Sequence, residues 1–131
     1  MSYTNIPKPT ESELEILHVL WEHGPSSVRF VNDKLNEERE IGYTTTLKLM
    51  QIMADKGLAL RNTESRTHIY KAAVSEADTQ KRLLQKFVDT AFRGSAVKLV
   101  MQALGNHQAS PKELDEIKAL IEKMESEDDD Q

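Results

Sequence analysis

The chain has 131 residues, of which 38% are hydrophobic and 30% charged, with a formal net charge of −5 and no cysteine. That length suits one ordinary domain, or a small domain with an appendage. The missing cysteines exclude a disulfide scaffold and thiolate metal sensing, and make the reducing cytoplasm the expected compartment. No apolar run approaches the roughly 18 residues of a membrane span, and residues 1–7 lack the charged-then-apolar order of an export signal.

The elements follow in chain order. Thr10-Glu11-Ser12-Glu13 reads as a capping box, a threonine cap with a glutamate three residues on. The helix it opens carries Leu14, Ile16, Leu17, Leu20 and Trp21 as a wide apolar stripe, and Gly24-Pro25 stops it. Ser26 or Ser27 caps a second helix, where Val28, Val31 and Leu35 recur at helical spacing with Phe30 beside them. Asn36-Glu37-Glu38-Arg39-Glu40 predicts a solvated connector. A third helix is expected over residues 43–56. At about 100° per residue, Thr46, Leu49, Met50 and Met53 share an apolar arc. Thr44, Lys48 and Gln51 share the opposite side, with Asp55 one turn beyond. Gly57 is a natural stop. Beyond it the period drops to two, in Leu58-Ala59-Leu60-Arg61 and Thr67-His68-Ile69-Tyr70-Lys71, with polar turn material between them.

Helix, helix, helix, strand, turn, strand is the order of a winged helix-turn-helix. The third helix would enter a DNA groove and the hairpin would form the wing. The expected fold is therefore mainly α with a small β-hairpin: a winged DNA-binding domain over residues 1–74, a helical dimerisation region over 75–124 and an acidic disordered tail over 125–131.

In the second half, Ser75-Glu76-Ala77-Asp78 predicts the start of a long helix lined by Leu83, Leu84, Phe87, Val88, Ala91 and Phe92, broken at Gly94. Val97, Val100, Met101 and Leu104 form a shorter stripe ended by Gly105. Ser110-Pro111-Lys112-Glu113 opens a last helix, with a serine cap, proline at the first position and glutamate at the third. Leu114, Ile117, Leu120, Ile121 and Met124 follow at helical spacing. Helices this short make a marginal core alone. Pairing with a second copy buries their stripes economically, with Leu83, Phe87, Val97, Leu104, Ile117 and Ile121 as the expected contacts. A monomer with these helices folded back on the winged domain is the alternative.

A net negative charge looks wrong for a DNA binder, but its distribution removes most of the objection. The five carboxylates of residues 125–131 account for the whole of the −5. The basic side chains that matter are local: Lys48 on the third helix, Arg61 and Arg66 on the wing. Phosphate neutralisation dominates DNA affinity, so modest non-specific binding and reliance on dimerisation are expected.

Nothing points to catalysis or a cofactor. His18 and His23 lie about 140° apart around one helix and cannot share a metal on one face. His68 lies in the wing without a carboxylate at ligand spacing, and His107 lies in an inter-helix loop. There is no glycine-rich phosphate loop and no recognisable nucleophile setting.

At this point the residues resemble the penicillinase repressor family. Glu13-Leu14-Glu15-Ile16-Leu17 through Leu20-Trp21 is similar to its first-helix signature. Tyr43-Thr44-Thr45 with Leu49-Met50 and Met53 is similar to its recognition helix. Lys56-Gly57-Leu58, Arg61, Arg66 and Tyr70 resemble its strand and wing pattern. The resemblance implies a dimeric bacterial repressor that binds a palindromic operator, of the family's TACA…TGTA type, through its N-terminal domain. The expected DNA contacts are Tyr43, Thr44, Thr45, Leu47, Lys48, Gln51, Arg61 and Arg66. The paired cysteines of the copper-responsive members are missing here. Antibiotic-responsive members are inactivated at an Asn-Phe bond. Placed through Gly94-Ser95-Ala96-Val97, Leu99-Val100 stands at that position, so the bond type is not retained. A signalling protease of different specificity stays open as a partner. A winged-helix module used for protein contact, without DNA binding, is the alternative function.

Overall fold

The computed structural model describes residues 6–64, 66–106 and 108–129. Its elements are α1 (Glu11–His23), β1 (Ser26–Ser27), α2 (Val28–Leu35), α3 (Tyr43–Lys56), β2 (Ala59–Asn62), β3 (Ile69–Ala72), α4 (Glu76–Ala91), α5 (Ala96–Asn106) and α6 (Pro111–Asp129). Two compact units divide the chain, residues 1–86 and 87–131. The boundary thus falls inside α4 rather than after residue 74. Ser75 caps α4, its hydroxyl accepting from the Asp78 N–H at 3.1 Å. A cap starts a helix but does not start a domain, and the first turns of α4 belong to the winged unit.

The first unit closes on one core of Ile16, Leu17, Leu20, Val28, Val31, Leu35, Ile41, Met50, Met53, Leu58, Ala59 and Tyr70. The capping box at α1 forms as expected: Glu13 N–H donates to Thr10 Oγ1 at 3.2 Å, and Thr10 N–H to Glu13 Oε1 at 2.8 Å. Ser27 caps α2 by accepting from Phe30 N–H at 3.1 Å. Gly57 ends α3 at φ 87° and ψ 12°, left-handed backbone that favours glycine.

One feature of this unit differs from expectation. Ser26 and Ser27 form a short strand before α2, pairing antiparallel with Tyr70 and Ile69. The sheet therefore has three strands in the order β1-β3-β2, beyond the expected hairpin. Two serines have no alternation to read, and only the edge offered by β3 makes them a strand. The connector Asn36-Glu37-Glu38-Arg39-Glu40 is exposed, as expected, and is also clasped at both ends. Asn36 Nδ2 donates to Asn32 O at 2.7 Å and to Ile41 O at 2.9 Å, while Ile41 N–H donates to Asn36 Oδ1 at 3.2 Å. Ile41 drops into the core. Arg39 meets Glu15 of α1 at 3.1 Å.

Trp21 stays half-buried because its Nε1 donates to the Val74 carbonyl at 2.9 Å, tying α1 to the chain beyond β3. Trp21→Phe keeps most of the apolar area and loses that bond. It is expected to lower unfolding free energy by about 1 kcal/mol, measured as a lower urea midpoint for the full chain.

In the second unit, Ser110 opens α6 with a capping box, accepting from Glu113 N–H at 3.1 Å and donating its own N–H to Glu113 Oε1 at 3.0 Å. Gly94 ends α4 at φ 85°. The expected disordered tail is not what residues 125–129 form: α6 runs through them to Asp129, while Asp130 and Gln131 lie outside the described residues. An acidic composition denies a segment a packed core but not a helix. Lys118 and Glu122, and Lys123 and Glu127, stand at the i,i+4 spacing that favours one. The expected loop position of His107 also lies outside the described residues.

Candidate nucleic-acid interface

α3 is built to hold one face in and one face out. Thr46, Met50 and Met53 are buried and Leu49 half-buried, while Thr44, Thr45, Lys48 and Gln51 are exposed. The buried Thr46 hydroxyl accepts from Asn32 Nδ2 at 2.8 Å and reaches the Gly42 carbonyl at 3.3 Å. α2 and α3 are thereby locked by a polar bond as well as by packing. Thr44, Lys48 and Gln51 form one exposed strip along the helix. Gly42 caps α3 without any side-chain hydrogen bond, so the Thr44 hydroxyl is not used to start the helix.

The far end of α3 is pinned by charge. Lys56 Nζ meets Glu13 Oε1 at 2.7 Å, and the Glu13 side chain is only 3% exposed. Burial pushes the Glu13 carboxyl up. The Lys56 ammonium and the Thr10 N–H outweigh it and hold Glu13 below the ordinary carboxylate range. Glu13 is readable from sequence as the third residue of a capping box. Its pairing with a lysine 43 positions on is not.

Five of the eight expected contact residues line two depressions, while Thr44, Thr45 and Lys48 line neither. Beside the start of α3, a cleft is lined by Tyr43 and Leu47, by Arg66, Thr67 and His68 of the hairpin loop, and by Arg29 of α2. Leu47 is half-buried against the core, so it offers only part of its side chain here. Beside the C-terminal half of α3, Gln51 and Asp55 line a second depression with Arg61 of β2. Arg61 lies opposite Tyr70 in the β2–β3 register. It therefore shares the sheet face of Tyr70 and not that of the neighbouring Leu60. Arg61 and Arg66 thus flank α3 at different ends.

Arg29 was missing from the sequence expectations. Its guanidinium sits 5.4 Å from the Tyr43 ring centroid, a cation–π arrangement. Residues 14 positions apart on different helices give no periodic signal, and only the α2–α3 crossing brings them together. Three other basic side chains of this unit are taken: Lys34 by Glu37 at 3.5 Å, Arg39 by Glu15 and Lys56 by Glu13. Among the described residues, Arg29, Lys48, Arg61 and Arg66 make no ion pair.

His18 and His23 lie outside these depressions. His18 packs edge-on to Trp21, with Nδ1 at 3.8 Å from Glu76, and His23 packs edge-on to Phe30. No group of three or more metal-ligating side chains gathers among the described residues, and no helix described is long and apolar enough to cross a membrane.

Of the expected dimer contacts, Leu83 lies in the first unit and is half-buried. The other five lie in the second. There Val97 is 73% exposed, Phe87 53%, Ile121 50% and Leu104 39%, and α5 buries no residue at all. Ile117 is half-buried. The Phe87 ring rests edge-on against Phe92 at 5.7 Å. Leu114, Leu120 and Met124 of α6 are exposed as well.

Comparison with known proteins gives one consistent result. The family model described as penicillinase repressor matches residues 9–123. The penicillinase repressor of Bacillus licheniformis is 24% identical over 117 residues, which are 89% of this chain and 91% of that protein. The methicillin resistance regulatory protein MecI of Staphylococcus epidermidis is 18% identical over 114 residues, 87% of this chain and 93% of that one. Among solved structures, the solution structure of the DNA-binding domain of the repressor BlaI matches with a TM-score of 0.50 at 24% identity, over 56% of this chain and 90% of that chain. That likeness concerns the fold.

Proposed function

The chain belongs to the penicillinase repressor family, and from that premise we propose that it is a cytoplasmic transcriptional repressor that binds a palindromic DNA operator as a homodimer. The observation that carries this reading is the exposed strip Thr44, Lys48 and Gln51 on a helix whose opposite face is buried. A helix fixed on a core, with short polar and cationic side chains outward, can offer donors and acceptors to base edges in the major groove. Tyr43 and Thr45 at its start, Leu47 beside it, and Arg61 and Arg66 at its flanks complete the proposed contact set. Leu47, partly exposed, is placed to touch a thymine methyl. Homodimerisation is supported by the exposed apolar side chains of α5 and α6. Two winged domains related by a two-fold axis present their recognition helices one DNA turn, or a multiple of it, apart, which matches a palindrome.

The experiment is binding to a palindromic duplex of the TACA…TGTA type and to a random duplex, each at two salt concentrations. A repressor shows a steep salt slope and a preference for the palindrome; a protein-contact module shows neither. Lys48→Ala is expected to weaken operator binding, and Thr44→Ala and Gln51→Ala to relax sequence preference, at ~1–3 kcal/mol for each good base contact. Unchanged affinity and selectivity in all three variants would mean that α3 does not read DNA.

A further inference from the structure

We infer that the cleft between α2, the start of α3 and the hairpin loop is a binding site for a single DNA backbone phosphate, gripped by Arg29 and Arg66 with His68 beside them. The inference rests on the operator-binding reading above and adds to it a ligand group and the part played by Arg29.

Two elements bring nitrogen donors to this one place, and a third closes it. Arg29 comes from α2, Arg66 and His68 from the hairpin loop, and Tyr43 of α3 closes the side between them. No carboxylate lines the cleft; Glu64, on the same loop, is not among its lining residues. A cavity that gathers two guanidinium groups and an imidazole without an acidic side chain is matched to an anion. Elsewhere on this unit, Lys34, Arg39 and Lys56 are each neutralised by a glutamate. The cleft keeps its charges unspent.

Arg29 is also held in place before any ligand arrives. Its guanidinium over the Tyr43 ring, at 5.4 Å, fixes a side chain that would otherwise sample many rotamers. Stacking leaves the edge of the guanidinium plane free, and that edge is the part that makes paired hydrogen bonds to phosphate oxygens. The position suits the backbone rather than a base. The cleft lies beside the start of α3, off the Thr44–Lys48–Gln51 strip, where the rim of a groove passes when the helix lies in it.

A phosphate carries no base sequence, so the test uses the full-length protein and a random-sequence duplex, followed by fluorescence anisotropy. Arg29→Ala and Arg66→Ala are each expected to weaken binding about tenfold and to do so equally for a palindromic duplex. The double variant lowers the slope of log affinity against log salt by about one. Arg29→Lys, which keeps the charge but not the fork, recovers only part of the loss. If Lys48→Ala weakens binding but Arg29→Ala and Arg66→Ala leave affinity and salt slope as they were, the cleft is not a phosphate site and the repressor reading stands. If the unaltered protein binds no duplex, both fall together. A loss at Arg29 confined to the palindrome would also overturn the inference, since it would signal base readout.

Discussion

Replacing Val97 and Ile121 together with aspartate is expected to make the full-length protein monomeric at micromolar concentration and to lower its operator affinity by about 10²–10⁴-fold. Both side chains are at least half exposed, 73% and 50%, so within one chain the change disturbs little packing. In a dimer it would place uncompensated carboxylates in an apolar contact. The expected size comes from linkage. Once one winged domain sits on its half-site, the second binds from an effective concentration set by the tether rather than from bulk. A monomer loses that gain while each domain keeps its half-site contacts. Sedimentation velocity reads the assembly and anisotropy the affinity. A fragment of residues 1–86, which keeps the first turns of α4 with the winged unit, is expected to be folded, monomeric and equally weak. A double variant that stays dimeric, or a fragment that binds as tightly as the whole chain, would remove the proposed assembly.

The second large effect concerns the Glu13–Lys56 pair. Lys56→Met is expected to lower the stability of the protein by about 2 kcal/mol. That is less than the roughly 3–5 kcal/mol for breaking a fully buried pair, because the Lys56 side chain is 34% exposed and water screens part of the charge. Glu13→Gln keeps the hydrogen bond to Thr10 and costs less. The pH dependence follows from the same pair. Glu13 lies below the ordinary carboxylate range when folded, so the folded chain binds fewer protons there than the unfolded one. The contribution is fully present above the unperturbed glutamate value of about 4.3. It is lost as the pH falls through the folded value. Urea unfolding at neutral pH and below pH 4 separates the cases: in Glu13→Gln this part of the acid destabilisation disappears. Equal stability of Lys56→Met and the unaltered chain would show that the pair only decorates the surface.

This pair has a functional consequence. It joins the start of α1 to the last turn of α3, while Asn32 holds Thr46 near the first turn of α3. The helix proposed to read DNA is thus fixed at both ends by polar bonds, with Met50 and Met53 packed between them. Weakening either end is expected to loosen the placement of Lys48 and Gln51 against a groove without removing any contacting side chain.

Much of this was determined by the sequence alone. The caps at Thr10, Ser27 and Ser110, the stop at Gly57 and the 3.6-residue stripes between them specify α1, α2, α3 and α6, because caps and periodicity are local physics. The same holds for the outward strip Thr44, Lys48 and Gln51, which follows from one helix and its apolar arc. Other features needed the tertiary structure because they depend on what lies across from a residue. Ser26 and Ser27 are a strand only because β3 offers an edge. The charged connector is clasped because Asn36 faces Ile41. Leu83 belongs with the winged unit, whose first turns of α4 no local signal could divide from the rest of that helix. The acidic residues up to Asp129 remain helical because composition speaks to burial and not to backbone. Arg29 meets Tyr43, and Lys56 meets Glu13, through helix crossings that place far-apart residues side by side. Such pairings are set by packing in three dimensions, and no spacing along the chain encodes them.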